Sequence, residues 1–148
     1  MAKFNYRFQN ILRLKIQLED QKKTEFSLLQ RKIQQERQKL INQEAEMEST
    51  IQHLRDSLIG TVNLKTLHYY QNSIAQLMLM IDLQQTLLKN LHQQEHLKRQ
   101  ELTQAMIQRR LYEKIRENRL EEWKKANNAQ EQKFLDYLSL NLKPVGQP

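Results

Sequence analysis

The sequence predicts an all-α protein: two long helices folded into an antiparallel coiled-coil hairpin, the second helix longer than the first. Three observations carry this. Glycine and proline number two each in 148 residues, too few to punctuate a compact α/β or all-β domain. Apolar residues recur every seven positions, the period of a coiled coil rather than of a straight surface helix. One glycine, Gly60, stands alone between two heptad runs, with no other before Gly146 and no proline before Pro144.

Gly60 therefore marks the reversal, the alternative being a glycine tolerated inside one continuous rod. Glycine adopts positive φ without a Cβ clash, which suits the position just past a helix C-terminus. Asn63 is placed to cap the next helix, with Val62 and Leu67 as a hydrophobic staple. The expected organisation is a single hairpin over residues 1–142. It has a helix over about 8–58, a turn at 59–63 and a helix over about 64–140, followed by a disordered tail, 143–148, that contains Pro144, Gly146 and Pro148.

The first eight residues alternate apolar and polar through Phe4, Tyr6 and Phe8. Alone that is a strand signal, but with no partner strand it reads as an extended or frayed lead-in. Helix 1 then carries the stripe Leu12, Glu19, Phe26, Ile33, Leu40, Met47, Leu54, and a partial one through Ile16, Ile51 and Leu58. Helix 2 repeats the device with Leu67, Ile74, Ile81, Leu88, Glu95, Leu102, Arg109 and a companion stripe Tyr70, Leu77, Gln84, Leu91, Lys98, Ala105, Tyr112. One antiparallel register sets Leu54 against Leu67, Met47 against Ile74, Leu40 against Ile81, Ile33 against Leu88 and Ile16 against Ala105. It makes the seam weak where Phe26 meets Glu95 and Glu19 meets Leu102. It also leaves about 28 residues at the end of helix 2 without an intramolecular partner, an overhang of ~40 Å. That overhang carries Ile115, Leu120, Trp123, Ala126, Phe134, Leu135 and Leu138, and exposed apolar residues on an unpaired helix suggest a partner; for Trp123 the alternative is packing against the lead-in aromatics Phe4, Tyr6 and Phe8 within the free chain.

Composition excludes several classes. There is no cysteine, hence no disulfide or thiolate metal site. No run of 18 apolar residues spans a membrane, and no secretory signal is visible at the N-terminus. The net charge of +7 is uneven: 10 Lys/Arg against 4 Asp/Glu over residues 1–40, 3 against 6 over 41–97, and 11 against 7 over 98–148. A hairpin would bring two basic ends together, which implies an acidic partner surface.

His92-Gln93-Gln94-Glu95-His96 matches an H-x-x-E-H zinc pattern, but a two-helix hairpin supplies neither a third ligand nor a closed pocket. No glycine-rich loop cradles phosphates, and no nucleophile and base converge. No catalytic, metal or cofactor residues are expected. The basic pairs Arg31-Lys32, Arg109-Arg110 and Lys124-Lys125 lack an aromatic stacking platform and are interleaved with acids such as Glu121 and Glu122, so nucleic acid is not an expected partner.

The stretch from Lys3 to Lys15, Lys-Phe-Asn-Tyr-Arg-Phe-Gln-Asn-Ile-Leu-Arg-Leu-Lys, resembles the opening signature of the flagellar export protein FliJ family. His68-Tyr69-Tyr70-Gln71 with Ile74, Leu77 and Ile81 is similar to that family's middle motif. Tyr112-Glu113-Lys114-Ile115-Arg116-Glu117 and the closing Glu131 to Asp136 are similar to its last motifs, with Tyr137 standing where the family often has Glu. The resemblance implies an antiparallel two-helix coiled coil similar to the γ subunit of rotary ATP synthases. It implies a non-enzymatic component of the flagellar type III export apparatus, cytoplasmic and peripheral to the inner membrane at the flagellar base. Its partners would be the hexameric export ATPase, the cytoplasmic domain of the export gate, and export chaperones.

Combined with the apolar overhang and the basic ends, this assigns Phe4, Tyr6, Phe8, Arg13, Tyr112, Arg116, Arg119, Trp123, Lys124 and Phe134 to ATPase binding. Positions matching the family's gate contacts are Tyr69, Ser73, Leu77, Met80 and Gln84; the heptads put Leu77 in the seam, and Ser73 and Met80 outward. The alternatives are a scaffold or stalk of a virulence-type secretion system, or a coiled coil that binds nucleic acid or a membrane surface through its basic end.

Overall fold

The structure, a computed structural model, describes residues 3–142. Two helices fill nearly all of it: α1, Gln9–Ser57, 49 residues, and α2, Leu64–Asn141, 78 residues. They pack against each other as an antiparallel hairpin, and no strand occurs among the described residues. The expected tail, 143–148, lies outside those residues.

The reversal is built as the local chemistry requires. The last turn of α1 tightens, with the Leu58 and Ile59 amides donating to the Arg55 and Asp56 carbonyls, both at 3.2 Å. Gly60 follows at φ 86°. An added Cβ would meet no neighbour there, so the demand for glycine is one of backbone conformation rather than of space. Asn63 opens α2 as its cap: its Oδ1 accepts from the Lys65 amide at 3.0 Å, and its carbonyl accepts from the Leu67 amide at 3.0 Å. Val62, expected as a staple, is 45% exposed.

The chain divides into two compact units, one of Gln21–Thr103 and one of Met1–Asp20 with Gln104–Pro148. In the first, the turn unit, Ile33, Leu88 and Leu91 form the buried core, with Leu29 and Leu40 packed against it. Ile33 and Leu88 meet as the heptad register requires. Gln84 is buried at a seam position, and its amide donates to the Glu36 carbonyl at 2.9 Å and to the Glu36 carboxylate at 2.6 Å, so the polar group is satisfied where it is buried. Further along, Lys22 and Lys98 interleave with Glu25 and Glu101 at 3.1–3.5 Å. Phe26 stays half-buried, with the Arg99 guanidinium over its ring at 5.5 Å. Arg99 is also 3.6 Å from the Glu95 carboxylate.

The second, the terminal unit, is filled differently. Its buried apolar side chains are Leu12, Tyr6 and Ala105, and Glu19 is buried more completely than any of them, at 2% exposure. Arg109 donates to Glu19 through Nε and to Glu113 at 2.7 Å. Glu19 was expected at a weak point of the seam facing Leu102; instead it is held by Arg109, whose long side chain reaches along α2. Ile16, expected to cover Ala105, is 36% exposed.

Of the two readings of the lead-in, extended or frayed, the structure has it laid along α2: residues 3–6 carry neither helix nor strand, a turn follows at 7–8, and the Gln9 amide donates to the Tyr6 carbonyl at 3.1 Å. One further expectation is corrected here. Helix α2 is not bare beyond residue 113, because the lead-in continues alongside it as far as Trp123. Extended chain advances ~3.3 Å per residue and helix ~1.5 Å, so the four steps from Phe8 to Phe4 accompany the eleven from Tyr112 to Trp123. Trp123, Ile115 and Leu120 are half-buried as a result. Beyond them Phe134, Leu135, Tyr137, Leu140 and Leu142 are 57–76% exposed.

Candidate functional site

In the terminal unit the strap formed by residues 3–8 lays its aromatics, Phe4, Tyr6 and Phe8, onto α2. The Tyr6 hydroxyl donates to the Tyr112 carbonyl at 3.0 Å. The Phe8 ring stands edge-on to Tyr6 at 5.8 Å and to Tyr112 at 6.2 Å, and Phe4 meets Trp123 at 6.0 Å. Arg116 ties the arrangement together, its guanidinium 5.7 Å from the Phe4 ring centroid and its Nε 3.3 Å from Gln9 Oε1. Burial pushes the Tyr6 hydroxyl above its ordinary pKa, with Tyr112 adding to the shift, while Arg119 and Arg116 pull the other way.

Six of the ten residues assigned to this surface therefore come together: Phe4, Tyr6, Phe8, Tyr112, Arg116 and Trp123. Arg119 lines the same cleft as Trp123. Arg13 and Lys124 are exposed on their helices, and Phe134 lies farther along α2, 61% exposed. Tyr112, Trp123 and Phe134 are eleven residues apart, three turns of helix within about 20°, so they form one line. The strap covers the first two and leaves the third open. The heptad reading passed over this eleven-residue spacing, which together with the Phe4/Tyr6/Phe8 alternation is the signal that the strap has a partner on α2.

The turn unit holds the second candidate surface. A shallow groove of about 450 Å³ brings together Tyr69, Ser73, Leu77 and Met80 from α2. Tyr69 and Met80 are exposed, Ser73 is half-buried, and Leu77 is buried in the seam. Gln84 does not join them, because Glu36 holds its amide inside the seam. The opposite wall comes from α1, through Glu46, Thr50 and His53, which the sequence reasoning missed because it followed α2 alone. The His53 ring stacks on Tyr70 at 6.4 Å and 17°, and Tyr69 stands edge-on to Tyr70 at 5.5 Å.

Electrostatics distinguish the seam from these surfaces. Lys98 holds the Glu25 carboxyl below its ordinary pKa, Gln84 does so for Glu36, and Lys22 for Glu101. Glu25 in turn raises Lys98, and Glu113 with Glu19 raises Arg109. His92 and His96 lie on an open face of α2 with Lys89, Gln93 and Leu97, and Gln100 is 3.2 Å from the His96 ring. Among the described residues no group of three or more His, Cys, Asp or Glu side chains converges, and no helix is long and apolar enough to cross a membrane.

A protein-family model described as flagellar FliJ protein matches residues 4–142, a span that takes in the strap and both helices. No curated protein and no solved structure matches the chain. With nearly its whole length inside that match, the chain belongs to the flagellar FliJ protein family, and as a member it is a component of the flagellar protein-export apparatus.

Proposed function

We propose that this chain is the stalk that inserts into the hexameric ring of the flagellar export ATPase, promotes the ring's assembly and activity, and links it to the export gate and to export chaperones. The terminal unit is the ATPase-binding element, through the strap and residues 112–142. The observation that carries this reading is the run of exposed apolar side chains beyond the strap, Phe134, Leu135, Tyr137, Leu140 and Leu142, which continues an aromatic line that the chain itself covers only in part. Apolar surface of that kind is what a protein partner would bury, and the 11 Lys/Arg against 7 Asp/Glu over residues 98–148 suit acidic neighbours on that partner.

The groove with Tyr69, Ser73 and Met80 is the proposed contact for the cytoplasmic domain of the export gate; Leu77 and Gln84 contribute by holding the seam beneath it. A peripheral position at the cytoplasmic face of the inner membrane follows from those two partners. The test is hydrolysis by the purified cognate ATPase. Adding the full chain should raise the rate, and a chain ending at residue 125 should not. Equal stimulation by both would remove the exposed α2 residues from the ATPase contact.

A further inference from the structure

Within the terminal unit, the strap and α2 enclose a cleft of about 380 Å³ that no intramolecular contact requires. We propose that this cleft is a receptor pocket for an aromatic side chain flanked by carboxylates, presented by the partner that engages this unit.

The walls decide the first half of that description. Phe4, Tyr6 and Phe8 from the strap and Trp123 from α2 line the cleft. Their rings already meet edge-on or tilted, Phe4 and Trp123 at 58° and Tyr6 and Phe8 at 79°, the geometries aromatic groups prefer. Another ring entering beside Trp123 continues the same packing. The volume falls within the range of pockets that accept organic groups, and buried aromatic anchors dominate the energetics of protein interfaces.

The rim decides the second half. Arg7 and Arg119 line the cleft, both exposed, and neither forms an ion pair with another of the described residues. Arg7 lies over the Phe8 ring at 5.7 Å, and Arg116 over the Phe4 ring at 5.7 Å. These contacts place guanidinium groups at the edge of an aromatic floor and leave their N–H donors available. Against them stands a single acid, Glu122. The pull of Arg119 and Arg116 on the Tyr6 hydroxyl registers the same positive field inside the unit. Guanidinium donors in a fork match a carboxylate in bidentate fashion, so the rim selects an anionic flank and repels a cationic one.

The identity of the partner rests on the reading of this unit as the ATPase-binding element; the chemistry of the pocket does not. The experiment separates them. The full chain carries one tryptophan, so Trp123 emission reports the cleft directly. The probes are 3-phenylpropionate and 3-phenylpropylamine, which share an aromatic ring and differ in charge. The carboxylate should give a saturable change in emission with half-saturation at least threefold lower than the amine. In the double variant Arg7→Glu, Arg119→Glu that preference should reverse, with circular dichroism showing an unchanged helix content.

A response that does not saturate, or an amine that binds as tightly as the carboxylate, overturns the pocket. Stimulation of the ATPase by the same preparation is measured alongside. Stimulation without probe discrimination removes the pocket and keeps the docking element. Discrimination without stimulation keeps the pocket and removes the ATPase as its partner.

Discussion

The turn unit and the terminal unit use the same two helices and hold them together in different ways. In the turn unit, Ile33, Leu88 and Leu91 interlock as heptad positions do, and the polar residue that intrudes, Gln84, is satisfied by Glu36 across the seam. In the terminal unit, the most buried side chain is a carboxylate, Glu19, held by Arg109, and an extended strap of aromatics packs where a coiled-coil partner helix would otherwise lie. The difference teaches that the strength of a heptad pattern and the extent of burial are separate quantities. A seam that reads as weak in apolar residues can be closed by an ion pair or by backbone of another kind.

That contrast can be broken in order of expected effect. Leu88→Ala removes the centre of the turn-unit core and should destabilise the protein by about 3 kcal/mol, cavity included. Urea unfolding followed by circular dichroism checks this, and a loss under about 1 kcal/mol would mean that the core does not depend on Leu88. Glu19→Ala should cost about 2 kcal/mol, because the Arg109 charge loses its buried partner while keeping Glu113. The double change Glu19→Leu, Arg109→Leu should recover most of that loss, since an apolar pair of similar volume avoids desolvation. If the double variant is as unstable as Glu19→Ala, the pair is not what closes this seam.

The ion-pair clusters predict a shape in pH. The carboxyls of Glu25, Glu36 and Glu101 lie below their ordinary pKa of 4.5, so their stabilisation is complete above that value and is lost as pH falls through the lowered ones. Lys98 and Tyr6 lie above their ordinary values of 10.5 and 10.0, so theirs is complete below those values and is lost as pH rises past them. Melting temperature should therefore be level between about pH 5.5 and 9.5 and decline on both sides. A steady rise in melting temperature as pH falls from 5 to 3 would contradict the placement of those carboxylates. The smallest effect is expected at Glu95→Leu. It gives up a 3.6 Å pair with Arg99 and adds apolar area beside Phe26, a gain of about 1 kcal/mol. A lower melting temperature would show that the Glu95–Arg99 contact matters more to Phe26 than burial does.

Much of the architecture was legible because neighbouring signals agreed. Gly60 alone could have been a glycine inside one continuous rod, but Asn63 as a cap beside it favoured a reversal in a chain so poor in turn residues, and the seven-residue stripes fixed which faces of α1 and α2 meet. The strap was half legible. Its alternation was seen, but strand signals are normally resolved by a partner strand, and here the partner is a helix whose Tyr112 and Trp123 repeat at eleven rather than seven. Glu19 was read by residue type as a weak point, whereas its burial depends on Arg109, one heptad beyond the register partner Leu102 on α2, which leaves no trace in the heptad of α1. Of the surface in the turn unit, the α2 side was visible and the α1 wall of Glu46, Thr50 and His53 was not, because those positions belong to the groove only once the two helices lie side by side.

The central claim is that the terminal unit, and not the turn unit, meets the export ATPase. Hydrogen exchange of the full chain, measured alone and with the assembled ATPase ring, tests it most directly. The account predicts slower exchange on binding in residues 3–20 and 112–142, largest around Phe134 to Leu142, with the core around Ile33, Leu88 and Leu91 unchanged. Protection gained only within residues 21–103, or no change in the α2 residues beyond Trp123, would contradict it.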